Sequence, residues 1–181
     1  MQKVSERIRN LRLEKKMTLR GLALAAGISP SALSQIESSQ VSPSVATLEK
    51  ITAALHLPIT VLFDEPDEAG DPVLMPAQDR RRVYSAPSHA TLEPLARGLS
   101  KKKMQPFLLR LDPGGEVGDY PYSGSEGEEF AIVLEGEILF EQSNRTYTLK
   151  DLDAVYFDPT KPHNWKNTGT GPATVLLVSS S

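Results

Sequence analysis

Residues 18–37, TLRGLALAAGISPSALSQIE, constrain the fold more than any other stretch, because capping residues alone specify two short helices and the turn between them. Thr18 is placed to cap a helix whose apolar positions Leu19, Leu22, Ala23 and Ala26 recur at helical spacing, and Gly27 follows where a left-handed residue ends it. Ser29 caps the next helix, with Pro30 at its first position, where a missing amide hydrogen costs nothing. Leu33 and Ile36 fall on an inner face, and Ser31, Ser34 and Gln35 fall outside it. Small hydroxyls and an amide are modest helix formers, so their choice is explained by a thin, hydrogen-bonding surface able to enter a groove.

The flanks extend this unit. Upstream, Val4, Ile8 and Leu11 form one stripe, with Arg7, Arg9, Arg12, Lys15 and Lys16 elsewhere. Downstream, Ser42, Pro43 and Ser44 open a helix carrying Val45, Leu48, Ile51, Thr52 and Leu55, and PITVLF offers a final short one with Ile59, Leu62 and Phe63. Five helices in one small all-α bundle are expected. Residues 1–63 hold eight Lys or Arg against four Glu, a net +4, whereas residues 64–181 hold twelve against nineteen, a net −7. A basic head on an acidic body suits a chain that presents one end to phosphate.

In order and spacing, ERIRNLR, TLRGLALAAGIS, SALSQIE and SPSVATLEKITAALHLPITVLF resemble the lambda-repressor-like, XRE-class helix-turn-helix domain. The resemblance implies a double-stranded DNA operator as partner. Arg12, Thr18, Arg20 and the amides at the start of the Ser29 helix are then expected at phosphates, which set position without carrying sequence information. Pro30, Ser31, Ser34 and Gln35 sit where the family's recognition helix touches base edges. The Gln35 amide can pair with adenine at two points, a contact worth about 1–3 kcal/mol of discrimination; the alternative is that it bonds backbone or phosphate nearby. Glu37 reads as structural.

With 181 residues in two compositional halves, two domains are expected: a DNA-binding domain over 1–63, an acidic, proline-containing linker over 64–79, and a second domain over 80–181. The linker has five acids before Pro72 and three prolines. The absence of cysteine excludes a disulfide framework and a thiolate metal site. The amino terminus reads as a charged amphipathic helix rather than a signal peptide, and no apolar run approaches membrane length, so a cytoplasmic protein without membrane partners is expected. Arg80, Arg81 and Arg82 read as a solvated face, and Lys101 to Lys103 as an exposed turn before a strand.

From Arg82 onward the period changes to alternation. RVYS, PFLLRL, EFAIVLEG, EILFEQ, RTYTL, AVYFD, HNWKN and TVLLVS are strand candidates, with Ser143 and Asn144 forming a tight hairpin. Many short strands with no intervening helix indicate a sandwich or barrel. Over residues 114–178 the chain resembles the cupin jelly-roll barrel: Glu129 stands ahead of Gly136 as in the first cupin motif, and Pro162, His163 and Asn167 match the second, with Asp153 in the turn before them. An XRE head followed by one cupin is a known regulator architecture.

Metal-binding cupins place two histidines ahead of the Glu, and here those positions are Ser123 and Ser125. Serine hydroxyls are poor ligands for transition metals at neutral pH, so no metal and no cofactor is expected. Tyr120, Tyr122, Ser123, Ser125, Glu129, His163, Trp165 and Asn167 are the candidate lining of a ligand pocket in the barrel. An inward carboxylate without metal favours a cationic ligand, an amine or the amino group of an amino acid. The alternative is a remnant in which Glu129 and His163 satisfy each other. Together these features imply a homodimeric transcriptional regulator, a repressor by resemblance, paired through its cupins and responding to a small metabolite. Two other readings stay open: a cupin metalloenzyme, an isomerase or dioxygenase, carrying a DNA-binding head, and a cupin used only for dimerisation.

Overall fold

The computed structural model describes residues 2–63, 74–119, 121–124 and 126–180. Tyr120, Ser125 and residues 64–73 of the expected linker lie outside them. Among the described residues four α-helices come first: α1 (Gln2–Glu14), α2 (Leu19–Ala25), α3 (Pro30–Glu37) and α4 (Val45–Ala54). The expected fifth helix is instead one 3-10 turn, Ile59–Leu62. Pro58 precedes it in an extended conformation, and a four-residue segment dominated by β-branched side chains is too short to propagate an α-helix.

Each start and stop is local. Thr18 accepts from the Gly21 amide at 3.0 Å and Ser29 from the Ala32 amide at 3.1 Å. Between them, Gly27 adopts φ 65°. Its amide reaches Leu24 O at 3.1 Å while the Ile28 amide reaches Ala23 O at 3.0 Å, the double bond that closes a helix on a left-handed residue. Ile8, Leu22, Leu33, Leu48 and Ile51 are fully buried at the centre of the bundle.

Nine strands follow among the described residues. A six-stranded sheet has the order β1-β2-β3-β9-β4-β7, from Val83–Ser85, Ala90–Pro94, Met104–Leu111, Ala173–Ser180, Glu129–Glu135 and Ala154–Phe157. A three-stranded sheet has the order β6-β5-β8, from Arg145–Leu149, Ile138–Gln142 and His163–Asn167. The pairings between these strands are antiparallel, and bridges Glu116↔Lys166 and Tyr122↔His163 lay the segment before β4 along β8. The two sheets face each other across Phe140, Phe157, Trp165, Val175 and Leu177, the layout of an all-β jelly roll. Ser143 (φ 50°) and Asn144 (φ 63°) make the β5–β6 turn, the backbone a two-residue hairpin needs.

One strand of this half, with the charge cluster it carries, was not anticipated. Strand β2 carries Glu93, fully buried, on which Arg80 (3.5 Å), Arg82 (3.3 Å) and Arg110 (3.7 Å) converge. The arginine run is therefore not a plain solvated face; two of its members compensate a buried carboxylate. Lys101 to Lys103 do lie in a turn ahead of β3.

The helical head is bonded directly to the barrel. The first three amides of α4, which have no partner within a helix, are all satisfied: Val45 N donates to Ser88 Oγ at 3.0 Å, Ala46 N to Val117 O at 3.1 Å and Thr47 N to Ser44 Oγ at 3.1 Å. Ser88 Oγ donates in turn to Val117 O at 2.9 Å, and Ser85 Oγ donates to Pro43 O at 2.9 Å. The Thr60 hydroxyl bonds the Gln105 carboxamide oxygen.

Candidate nucleic-acid interface and barrel pocket

On α3, Ser29, Pro30, Ser31, Ser34 and Gln35 are all exposed, as are Thr18 and Arg20 near the start of α2. Leu33 and Ile36 hold the opposite face in the core. Ser29 and Ser31 share a hydroxyl contact at 3.0 Å, so Ser31 is partly engaged. The Gln35 carbonyl accepts from the Gln40 amide at 2.9 Å, a backbone bond that fixes the helix end beneath the exposed side chain.

Arg12 is not part of this surface. Its guanidinium donates to Glu37 at 2.7 and 2.9 Å and to Met17 O at 3.0 Å, and the side chain is only 11% exposed. All that geometry is spent inside the bundle, tying α1 to the last residue of α3. The expectation that Arg12 touches phosphate is therefore corrected: it positions the recognition helix, and Glu37 is its structural partner.

In the barrel, Tyr122, Glu129, His163 and Trp165 line one cavity, over an apolar floor of Leu92, Phe107, Leu109 and Leu177. Glu129 on β4 accepts from Ser179 Oγ at 2.8 Å. Burial pushes its carboxyl up to about 7, against that hydrogen bond. His163 on β8 is packed against Tyr122 (centroids 4.6 Å) and Phe157 (5.1 Å). Its Nδ1 lies 2.9 Å from Lys161 O. A carbonyl only accepts, so Nδ1 carries the proton and Nε2 of the neutral ring is an acceptor. Burial lowers the His163 pKa, which keeps the ring neutral. Glu129 and His163 are not bonded to each other; each has its own partner, and they do not form a self-satisfied pair.

Two expected lining residues are elsewhere. Asn167 donates from Nδ2 to Leu111 O and Gly171 O, both at 2.9 Å, while its Oδ1 accepts from Gly169 N at 2.9 Å. It is a fully satisfied bolt between β3, β8 and the turn into β9. Ser123 is exposed and does not line the pocket; the bridge of Tyr122 to His163 turns Tyr122 inward and the next residue out.

The pocket also contains a residue that sequence reading did not assign to it, Glu49 of α4. Val45 and Glu49 stand one turn apart on the face of α4 that meets the barrel, and Val45 also lines the pocket. A Cβ built on Gly124 would lie 3.8 Å from Glu49 Oε2. Glu49 and Glu129 are both half-buried residues. Burial, and then the charge of Glu129, push Glu49 up to about 8; burial with these two carboxylates also raises the Tyr122 hydroxyl. The only signal in the sequence was a lone carboxylate on a helix face otherwise made of Val45 and Thr52.

Among the described residues, the lining does not offer the ligand set a transition metal needs. Ser123 stands outside the pocket, and among the described residues no three carboxylate, imidazole or thiol groups converge closely enough to hold an ion. Glu49, Glu129 and His163 share the lining without meeting at one point.

Comparison with known proteins agrees with the geometry. A helix-turn-helix model matches residues 8–62 and a cupin-domain model residues 107–179. The chain is 25% identical over 171 residues to the HTH-type transcriptional regulator PuuR of Escherichia coli, covering 94% of this chain and 91% of that one. It is 34% identical over 106 residues to the HTH-type transcriptional regulator SinR of Bacillus licheniformis, covering 58% of this chain and 88% of the relative. Among solved structures, an HTH_3 family transcriptional regulator from Vibrio cholerae matches with TM-score 0.77 at 20% identity, over 99% of this chain and 96% of that one. The fold alone is shared with hydroxypropylphosphonic acid epoxidase from S. wedmorenis, with TM-score 0.51 at 21% identity over 98% and 97% of the two chains. With a capped reading helix on a basic bundle and a jelly roll bonded to it, this chain belongs to the XRE-class helix-turn-helix transcriptional regulators that carry a cupin domain.

Proposed function

We propose that the chain acts in the cytoplasm as a homodimeric operator-binding repressor whose cupin barrel, without metal or cofactor, senses a small cationic metabolite. Pro30, Ser31, Ser34 and Gln35 read base edges, with Gln35 bidentate to adenine, while Thr18, Arg20 and the Ser29 end of α3 hold phosphates. One such helix reads few base pairs, so two copies paired through their cupins and about 34 Å apart on the duplex supply the rest. The observation that carries this reading is the exposed polar face of α3 on a head of net charge +4, and the kinship to named regulators along nearly the whole chain supports it over an enzyme. The sensor part is supported by Glu129 and His163 in a pocket where neither bonds the other, since an inward carboxylate kept without a metal calls for a positive partner.

The test is Gln35→Ala, measured against operator and random DNA by fluorescence anisotropy. Operator affinity should fall by about tenfold or more, with random DNA little changed. Equal loss on both sequences would refute Gln35 as a base reader.

A further inference from the structure

α4 is part of the DNA-binding head, yet it forms one wall of the barrel pocket. Its first two amides end on Ser88 and Val117 of the barrel, and one turn later Glu49 enters the pocket beside Gly124. Glu129 enters from β4. None of the ion pairs among the described residues involves either carboxylate. The remaining titratable groups of the lining are the Tyr122 hydroxyl and the neutral His163, neither of which supplies a positive charge.

We propose that a small organic cation, with an ammonium or guanidinium group on a short apolar body, binds between Glu129 of the barrel and Glu49 of α4, so that the effector site belongs to both domains. This rests on the sensor reading above and adds the second carboxylate to it. The cation lets both carboxyls, which otherwise face each other protonated in a desolvated space, ionise against a positive partner, and the rings of Tyr122 and Trp165 give it aromatic faces. His163 Nε2 is a further acceptor, and Leu92, Phe107, Leu109 and Leu177 receive the apolar body.

The cavity is too small for such a ligand while α4 is seated. Its free volume is about 10 Å³, room for about one water molecule. Outside lies a wider groove of about 460 Å³ between residues 53–58 and Gly124, Thr160 and Ser180, and Gly124 borders both spaces. The ligand therefore enters along the interface between the domains, and its occupation displaces α4 from the barrel. Because α4 packs against α2 beneath the recognition helix, binding changes where α3 stands relative to the barrel.

The test uses the full chain. Trp165 is its single tryptophan and lines the pocket, so its fluorescence reports occupancy. The chain has no cysteine, so Leu24→Cys on the exposed face of α2 carries an acceptor dye that reports the distance from Trp165. Propylammonium and arginine are titrated as probes, with propionate as control. The expected result is saturable change in Trp165 emission and in energy transfer for at least one cation, none for propionate, and weakening by about tenfold or more in both Glu49→Gln and Glu129→Gln. Glu49→Asp, which keeps the charge, retains binding better than Glu49→Gln, and unfolding midpoints confirm that each variant is folded. If Glu129→Gln weakens binding while Glu49→Gln does not and energy transfer stays constant, the barrel alone binds the cation: the sensor reading stands and the two-domain site is overturned. If neither cation perturbs Trp165, the cationic effector and the shared site fall together.

Discussion

Replacing Arg12 by Ala separates a phosphate contact from a structural one. The substitution removes two hydrogen bonds to Glu37 and one to Met17 O. It also strands the Glu37 carboxylate, whose side chain is 6% exposed, so little water can replace the lost partner. Removing one member of a buried pair costs about 3–5 kcal/mol, a large part of the about 5–15 kcal/mol that holds a domain together. Glu37→Ala should cost a similar amount, because Arg12 keeps only its bond to Met17 O. The double variant Arg12→Met, Glu37→Leu should return to within about 2 kcal/mol of the parent, since no charge is left unpaired. Guanidinium denaturation followed by far-ultraviolet circular dichroism gives all three values, and the cycle Arg12→Ala, Glu37→Ala should show a coupling of about 2 kcal/mol or more. The same proteins, held where they remain folded, should bind random DNA with the parent's salt dependence. If Arg12→Ala leaves stability within about 0.5 kcal/mol and flattens the salt slope by about one unit, Arg12 is a phosphate ligand and the structural argument fails.

Two further outcomes follow from the barrel. Glu49 and Glu129, raised to about 8 and about 7, hold protons in the fold that the unfolded chain gives up near pH 4.5. Their stabilising contribution is therefore full only below about pH 4.5, declines as the pH rises and is gone once it has passed 8, so the free energy of unfolding should still fall between pH 6.5 and about pH 8, by about 1–2 kcal/mol after allowance for partial exposure, and then level off, and Glu49→Gln should flatten that fall. His163, lowered by burial, works in the other direction only below about pH 6.5, outside that window. Asn167→Ala should destabilise the protein by about 2–4 kcal/mol, from three hydrogen bonds and the carbonyls they leave bare, while leaving cation binding to the folded protein unchanged; calorimetry and the Trp165 titration read the two effects separately.

The helix-turn-helix was legible because its determinants are local. Thr18, Gly27, Ser29 and Pro30 act on amides within a few residues, and the β5–β6 hairpin rests on Ser143 and Asn144 in the same way. What was illegible depends on distant partners. Arg12 and Glu37 are 25 positions apart, and nothing in either neighbourhood distinguishes a buried guanidinium from one awaiting phosphate. Strand β2 was hidden because Glu93 and Pro94 are poor strand residues, and only the three arginines around Glu93 explain its burial. Of the pocket, Glu129 and His163 were read from a family pattern and Trp165 from strand alternation, but Asn167 was misplaced because alternation gives the face of a strand and not the position along the barrel. Glu49 was missed because it sits in the other domain, and one strand of text cannot show which helix face a barrel will meet.

The bonds from Val45 and Ala46 to Ser88 and Val117 also bear on how such a chain can be taken apart. A head excised before the barrel would bring α4 into water with its first two amides bare and its apolar residues Val45 and Ala46 uncovered. Grafting it onto a foreign sensor would require a matching hydroxyl and carbonyl at the new seam. The joint of this chain is therefore fixed: whatever changes on α3, the first turn of α4 and the loops holding Ser88 and Val117 act as a set.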